Sequence, residues 1–177
     1  MPPLTLLLLA QAAALAPFPL EPGRFWEYRE SYTEELNGVS STTDETTRFE
    51  IRGRPGRLVL EQTGGADPSS GPIEAGDGWL RLGAWTGEEP LPLPLEVGHA
   101  GPRAEGEGGG PGWKVEAEEE VTVPAGTFTA FRCAVRTWRS VGVLWIAPGV
   151  GVVREIQGTP GARPEIERVL LRRGGGG

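Results

Sequence analysis

Residues 121–156, VTVPAGTFTAFRCAVRTWRSVGVLWIAPGVGVVREI, decide the fold because they contain two explicit β-turn signals. Pro124 fits the second position of a type I turn, since its ring fixes the backbone angle φ at about −65°. Gly126 can then supply the left-handed residue that closes a three-residue hairpin loop. This register predicts that Val123 pairs with Thr127.

The same register sorts the two strands of this hairpin into an apolar and a charged face. The predicted apolar face carries Val115, Ala117, Val121, Val123, Phe131, Cys133 and Val135. The predicted charged face carries Glu116, Glu118, Glu120, Arg132 and Arg136. Glu118 is expected to lie opposite Arg132. An antiparallel sheet with one buried and one solvated side has this pattern.

Two further turn signals predict hairpins elsewhere in the chain. Pro148-Gly149 fits the central positions of a type II turn, although its loop could equally run to Gly151, so its register stays open. Asn37-Gly38 is the strongest two-residue hairpin signal. It predicts the pairs Leu36 with Val39, Trp26 with Phe49 and Glu27 with Arg48, which place the aromatic and the charged pairs on opposite faces.

The remaining chain predicts short strands joined by loops rich in glycine and proline. Strands are expected at 57–63, 79–85 and 165–173, and a loop at 64–78. A Pro/Gly-rich connector is expected at 86–112, where the prolines of EEPLPLPL (residues 88–95) indicate an extended connector or an edge covering. The sequence therefore predicts one all-β domain over 17–173, a strongly curved antiparallel sheet or half-open barrel of eight to ten strands. A flexible glycine tail is expected at 174–177.

The first sixteen residues have the composition of an export signal. Residues 4–16, LTLLLLAQAAALA, are shorter than the about 20 apolar residues of a membrane-spanning helix and fit the about 7–15 of a signal-peptide core. Small residues allow cleavage after Ala12, Ala14 or Ala16, although no lysine or arginine precedes the run. We predict a signal peptide at 1–16, cleaved near Ala14 or Ala16, and no membrane span in the mature chain. The alternative is a buried N-terminal helix.

Composition and charge exclude several classes of function. The net charge of −7 and the absence of a basic cluster argue against nucleic-acid binding. Cys133, the only cysteine, can form neither an intramolecular disulfide nor a thiolate zinc site, and its place in the strand pattern predicts a buried residue. Few thermolabile residues and many prolines fit a heat-adapted organism, and a GC-rich genome predicts much the same composition.

No motif of the sequence predicts catalysis, a metal or a cofactor. His99, the only histidine, has no recognisable nucleophile near it in sequence and is expected to be a solvated loop residue. The glycine run at 106–110 lacks the strand, helix and lysine of a phosphate loop. The acidic run at 116–120 predicts a solvated strand face rather than a cation site. Glu119 alone falls on the apolar face, and we expect it where that face opens to solvent.

Six aromatic residues are the candidate ligand-binding residues. They are Trp26, Trp79, Trp113, Trp138, Trp145 and Phe131. On a curved sheet such rings can pack in the core, line a cavity for an apolar ligand, or stack on sugars. Packing is the default interpretation for a domain of this size, and the other two stay open. The sixth tryptophan, Trp85, ends a predicted strand.

Two segments resemble a known family of exported proteins. The first is V-x-V-P-A-G-T-F at 121–128 with W-x-A-P-G-V-G-x-V at 145–153, and the second is F-P-L-x-P-G-x-x-W-x-Y at 18–28. They are similar to exported bacterial β-proteins of unassigned function, in the group of TapB-like domains. The resemblance implies an extracytoplasmic domain with a strongly curved antiparallel sheet, similar in outline to the LolA and LolB lipoprotein carriers. It supplies no catalytic residues.

The sequence as a whole predicts a non-enzymatic protein of the periplasm, the cell envelope or the exterior. We expect it to bind an apolar small molecule, a lipid or an envelope protein on the concave face of its sheet. The first alternative is a hydrolase that uses His99 with nearby carboxylates. The second is a carbohydrate-binding module that uses exposed tryptophans.

Overall fold

A computed structural model describes residues 18–36, 39–65, 68–76, 78–86, 90–101, 112–136, 140–159 and 166–175. The predicted signal peptide, its cleavage points near Ala14 and Ala16, the turn residues Asn37 and Gly38, and Trp138 lie outside these ranges.

The described residues form one antiparallel sheet of eleven strands, nearly closed as a barrel. This confirms the predicted all-β, strongly curved fold, with more strands than expected. The strands are β1 Phe25–Leu36, β2 Val39–Arg54, β3 Arg57–Gly64, β4 Ser70–Gly76, β5 Trp79–Leu82, β6 Leu91–Pro92, β7 Gly112–Val123, β8 Gly126–Arg136, β9 Val141–Ala147, β10 Gly151–Gly158 and β11 Ile166–Gly174. One helical turn, α1 Gly83–Thr86, follows β5. The order across the sheet is β6-β5-β4-β3-β2-β1-β11-β10-β9-β8-β7.

The β1–β2 hairpin has the register that the sequence predicts. Leu36 pairs with Val39, Trp26 with Phe49 and Glu27 with Arg48. Trp26 and Phe49 are buried, while the Glu27 carboxylate accepts a 2.9 Å hydrogen bond from Arg48 Nη1. The aromatic and the charged side chains of this hairpin therefore lie on opposite faces, as the sequence predicts.

The predicted register of the β7–β8 hairpin is wrong by one residue at its tip. Val123 pairs with Gly126 rather than with Thr127, because the loop consists of Pro124 and Ala125 alone. Glu118 consequently faces Phe131, not Arg132. A bulge between Val115 and Ala117 changes the register again nearer the other end of the hairpin. The tip reaches β11, where the Ala125 amide donates a 3.0 Å hydrogen bond to Leu170 O.

Two predictions in the middle of the chain are wrong. The loop predicted at 64–78 contains β4, whose sequence SGPIEAG has few strand-forming residues. Pairing with β3 on one side and β5 on the other, rather than intrinsic propensity, makes it a strand. The strand predicted at 79–85 ends at Leu82, and α1 turns the chain so that Trp85 enters the interior.

Two further boundaries are now defined. Ala147 pairs with Gly151, so the β9–β10 loop has three residues and resolves the register that the sequence left open. β11 continues to Gly174, which pairs with Phe25, so the strand extends one residue into the segment predicted as a tail.

The interior is filled by aromatic and aliphatic side chains around Trp85. The Trp85 ring centroid lies 4.7 Å from that of Phe49, 5.6 Å from Trp26, 5.8 Å from Phe18 and 6.0 Å from Tyr28. Offset and edge-to-face contacts at such distances are the favourable arrangements of aromatic pairs. The centre of the barrel is therefore packed core.

Residues 91–101, which we call the strap, connect the two ends of the sheet. At one end β6 pairs with β5, and the Leu93 amide donates to Gly78 O at 2.8 Å. At the other end the Gly98 amide donates to Val115 O, and the Val115 amide donates to His99 O, both at 2.8 Å. Residues 91–95 of the segment expected to be an extended connector or an edge covering thus lie against β5, and residues 98–101 continue to β7.

Candidate functional site

An open pocket of about 510 Å³ lies at the end of the sheet where β3 begins and β4 ends. Most of its lining residues have apolar side chains, and they come from the N-terminal segment, β3, β4 and β5. The lining side chains are Leu20, Leu58, Ile73, Glu74, Ala75 and Trp79.

The strand register explains why the floor of the pocket is apolar. Leu58 pairs with Ile73, and Ile73 pairs with Leu82, so all three point to the inner face of the sheet. Leu60, two residues further along β3, is fully buried on the same face. The pocket is thus a continuation of the hydrophobic core that opens to solvent where β3 and β5 begin and β4 ends.

One rim of the pocket consists of an aromatic ring beside an ion pair. Trp79 pairs with Gly76, and a Cβ at Gly76 would lie 2.2 Å from Trp79 Nε1, so only glycine leaves room for the indole. The Arg81 guanidinium lies 5.8 Å from the centre of the Trp79 ring. Arg81 Nη1 also donates a 2.7 Å hydrogen bond to the Glu74 carboxylate. The rim therefore presents an aromatic surface, and the positive charge of Arg81 beside it is neutralised by Glu74.

The other predicted ligand-binding residues lie elsewhere. Trp26 and Trp113 are each 1% exposed, and Trp26 Nε1 donates a 2.6 Å hydrogen bond to Val150 O. Trp145 is also buried, with the Arg154 guanidinium 4.9 Å from its ring centre. Phe131 is half-buried. Of the described members of this set, Trp79 is the one that lines the pocket.

Most of the pocket is not predictable from local sequence patterns. Leu58 was expected to point inward, but Ile73, Glu74 and Ala75 fall in the segment predicted as a loop. The alternation of the apolar residues Ile73 and Ala75 with the charged Glu74 is a signal that favours a strand there.

A polar cluster also lies inside the barrel, and no local sequence pattern indicates it. Glu30, Arg168 and Glu155 occupy directly paired positions on β1, β11 and β10. Arg168 Nε donates to Glu30 Oε2, and Arg168 Nη1 donates to Glu155 Oε2 at 2.8 Å. The Thr47 hydroxyl donates to Glu30 Oε2 at 2.9 Å.

The environment of this cluster favours ion pairing. Burial lowers the pKa of Arg168, but Glu155 and Glu30 outweigh that effect, so its pKa is raised overall. Glu30 is fully buried, and its Oε1 has no hydrogen-bond partner among the described residues. A Cβ at Gly65 would lie 3.3 Å from that oxygen. Because backbone closes over the carboxylate, the cluster links three strands rather than presenting a group to a substrate.

The residues considered for catalysis have structural partners. His99 is exposed, and its Nδ1 lies 3.2 Å from the carbonyl oxygen of Pro94. Cys133 is buried as predicted, and burial, assisted by the Glu116 carboxylate, raises its pKa to about 12. Such a thiol is a poor nucleophile near neutral pH. Within the described ranges, no group of histidine, cysteine and carboxylate side chains is arranged to hold a metal ion.

The acidic run of β7 has the solvated face that the sequence predicts. Glu116, Glu118 and Glu120 are exposed, whereas Glu119 is half-buried. Glu119 accepts a 2.6 Å hydrogen bond from Trp145 Nε1. That contact explains how a carboxylate is accommodated beside apolar residues.

No helix in the described part of the chain has the length and apolar character needed to cross a membrane.

Comparison with known proteins shows the fold. No protein-family model matches the chain, and no curated protein matches it. It is similar to a solved structure from Bacteroides fragilis whose name calls it an exported protein with a YmcC-like fold. That match has 16% identity and a TM-score of 0.53 and covers 91% of this chain and 99% of the other. It is also similar to a protein from Parabacteroides distasonis named as a lipoprotein, with 15% identity, a TM-score of 0.53 and coverage of 91% and 99%.

These comparisons do not confirm the resemblance to TapB-like domains or to the LolA and LolB carriers, which stays a prediction. What the two neighbours share with this chain is its fold, a curved antiparallel sheet that the name of the Bacteroides fragilis protein calls YmcC-like.

Proposed function

We propose that this protein is a non-enzymatic extracytoplasmic binding protein that holds the hydrocarbon part of an apolar ligand in the pocket beside Trp79. The main support for this proposal is the pocket itself, an opening of the hydrophobic core about 510 Å³ in volume. Pockets for small ligands usually have about 300–1,000 Å³ and mostly apolar walls with a few polar groups. Leu58, Ile73 and Ala75 supply such walls, and Glu74, whose carboxylate accepts a hydrogen bond from Arg81, supplies a polar group.

Two independent observations support a location outside the cytoplasm. Residues 4–16 have the length and composition of a signal-peptide core. Both structural neighbours carry names, exported protein and lipoprotein, that refer to such a location.

The packing of the barrel supports a ligand at its open end. Trp85 fills the centre against Phe49 and Trp26, so the concave face has no room there for an acyl chain. The interior face becomes accessible at Leu58, Ile73 and Ala75. A chain of methylene groups placed there would remove apolar surface from water on both partners, the term that drives such binding.

The test is a titration of the protein with a fluorescent fatty acid, dansyl-undecanoic acid. Ala75→Phe adds a ring at an exposed position of the pocket wall, and Trp79→Ala removes the aromatic rim. Each is expected to weaken binding by about tenfold or more, which corresponds to about 1.4 kcal/mol. Val39→Ser is the matched control, because it removes an exposed apolar side chain that does not line the pocket. It should leave the affinity unchanged.

Absence of dansyl-undecanoic acid binding by the unaltered protein, or equal affinities in all four proteins, would refute the proposal. Two other results would favour the alternatives. Binding of a soluble oligosaccharide that Trp79→Ala abolishes would favour a carbohydrate-binding module. Turnover of a generic ester that His99→Ala abolishes would favour a hydrolase.

A further inference from the structure

The β1–β2 hairpin continues beyond the rest of the sheet. β1 pairs with β11 only as far as Tyr32, and β2 pairs with β3 only from Thr47 onward. Residues 33–36 and 39–46, which we call the arm, therefore pair with each other but with no other strand of the described chain. The arm is a two-stranded ribbon that leaves one edge of β2 open.

In the arm, both faces of β2 are in solvent. Every residue from Val39 to Thr46 is exposed, and Val39 is 67% exposed. Across the ribbon, the hydroxyls of Thr33 and Thr42 lie 3.3 Å apart. A two-stranded ribbon without a hydrophobic face is at best marginally stable in water. A further strand added to its edge would supply the missing pairing.

The direction of the backbone groups on the open edge follows from the register. In an antiparallel pair, alternate residues direct their N–H and C=O groups toward the partner strand and away from it. Ile51 exchanges 2.8 Å backbone hydrogen bonds with Gly23 and Arg24, on the β1 side of β2. Odd-numbered residues of β2 therefore face β1. The even-numbered Ser40, Thr42 and Asp44 direct their backbone groups to the open edge.

The charge of the arm defines its partner. The sequence places four acidic residues in it, Glu34, Glu35, Asp44 and Glu45, and no lysine or arginine. A second copy of this arm would bring like charges together, which disfavours self-pairing. A basic strand on this edge would lie beside Asp44 and Glu45 and one strand away from Glu34 and Glu35.

We propose that the open edge of β2 at Ser40–Asp44 binds an extended basic segment of another protein by β-strand addition. Backbone hydrogen bonds to Ser40, Thr42 and Asp44 provide the pairing, as in other cases of strand addition. The acidic side chains select lysine- or arginine-rich partners. The arm lies apart from the pocket beside Trp79, so this activity does not depend on the proposed ligand binding.

The test uses a fluorescein-labelled octapeptide of alternating lysine and valine, with a glutamate–valine octapeptide as the control probe. Fluorescence anisotropy with the full-length protein gives the affinity. We expect binding of the lysine peptide that weakens as salt rises, and at least about tenfold weaker binding of the glutamate peptide. Amide hydrogen exchange by NMR should show new protection at Ser40, Thr42 and Asp44.

Matched variants separate the backbone edge from the charge. Thr42→Pro removes the outward amide, and Thr42→Ala keeps it, so only the first should weaken peptide binding, by about fivefold or more. Glu34→Gln with Glu45→Gln should weaken binding and flatten its salt dependence. Glu118→Gln with Glu120→Gln, which removes two exposed strand glutamates of β7, should leave it unchanged.

Several results would overturn the proposal. One is protection outside Ser40–Asp44, and another is equal binding by Thr42→Pro and Thr42→Ala. A larger loss in the β7 double variant than in the arm variant would move the site to β7. Dimerisation through the arm in sedimentation experiments would replace the basic partner by a second copy.

Discussion

Arg168 links three strands through its contacts with two buried carboxylates. Glu30 and Glu155 lie on either side of it on β1 and β10, and its guanidinium also lies 5.7 Å from the centre of the Phe49 ring. A buried ion pair often contributes little net stability, but removal of one partner leaves uncompensated charge in the interior. Loss of Arg168 should therefore destabilise the whole barrel.

We predict that Arg168→Ala lowers the free energy of unfolding by about 3–5 kcal/mol, because it leaves two carboxylates buried without their cation. Urea denaturation followed by tryptophan fluorescence measures the change. Arg52→Ala is the control, since its ion pairs with Glu50 and Glu61 involve a guanidinium that is 59% exposed. That variant should lose less than about 1 kcal/mol. Equal losses would contradict the argument.

Tyr28 predicts a dependence of stability on alkaline pH. Burial raises its pKa well above the usual value of 10.0, Glu155 raises it further and Arg168 partly offsets the shift. In the unfolded chain the phenol ionises at about pH 10, while the folded protein keeps the proton. The free energy of unfolding contributed by this group is therefore intact below that pH and falls by about 1.4 kcal/mol per unit above it.

The measurement compares Tyr28→Phe with the unaltered protein from pH 8 to pH 11. At pH 8 the variant should be less stable by about 1–3 kcal/mol, because the Val152 carbonyl loses the 2.7 Å hydrogen bond from the phenol. The difference should shrink as the pH rises past 10. A difference that stays constant would show that Tyr28 does not cause the loss.

The environment of a residue can be predicted from the sequence only where the pattern that indicates it lies within a short stretch of chain. The burial of Cys133 could be read from alternation along a single strand. Glu30 and Arg168 are separated by 138 positions in the chain, and only the order of strands in the sheet brings them together. No local pattern carries that information.

The β2–β3 hairpin depends on two glycines with different surroundings. Gly53 has φ +102°, and a Cβ there would lie 2.1 Å from the Arg57 carbonyl oxygen. Gly56, in the turn itself, has φ +82° and nothing within 4 Å of its hypothetical Cβ. The backbone conformation is unfavourable for alanine at both positions, but only Gly53 also has no space.

We predict that Gly56→Ala lowers the free energy of unfolding by about 1–2 kcal/mol, the cost of a left-handed conformation for a residue with a Cβ. Gly53→Ala should lose about 1–3 kcal/mol more, because backbone atoms must move to accept the methyl group. Chemical denaturation of the two variants gives the difference directly. Equal losses would mean that the contact with Arg57 relaxes without cost.

The elements differ in how far the sequence determines them. The β1–β2 register was predictable because the turn, the aromatic pair and the charge pair agree. The β7–β8 register was not, because the PAG sequence fits both a two- and a three-residue loop and the bulge at Val115–Ala117 has no local signal. β4 was missed because its pairing partners, rather than its own residues, make it a strand.

The barrel as a whole is organised around Trp85. Four aromatic rings surround it, and it comes from α1, which turns inward after β5. We predict that Trp85→Ala lowers the free energy of unfolding by about 3–5 kcal/mol, since it leaves a large cavity in the core. Trp79→Ala should lose clearly less, because Trp79 is only half-buried.

The cavity itself provides a second measurement. An apolar cavity of this kind stays free of water and binds small aromatic molecules. Saturating benzene should therefore raise the thermal midpoint of Trp85→Ala more than that of the unaltered protein. An equal effect of benzene on both proteins would indicate that the barrel collapses onto the vacant position.

At the scale of the whole molecule, the class of fold was predictable and its closure was not. Turn chemistry and alternation identify a curved antiparallel sheet. The pocket needs the positions of β3, β4 and β5 relative to one another, and closure needs the strap, whose prolines show only that it cannot be a central strand.

The strap also determines how the protein behaves in a crowded solution. Strand edges with unpaired backbone groups are templates for intermolecular association and amyloid growth, and most sheets must protect their two edges separately. Here one continuous segment covers part of β5 and part of β7. Detachment of residues 91–101 would expose the backbone groups of both strand edges at once. Each end of the sheet could then pair with another molecule. Such a molecule can add neighbours in both directions, so damage to this short segment would lead to linear polymers.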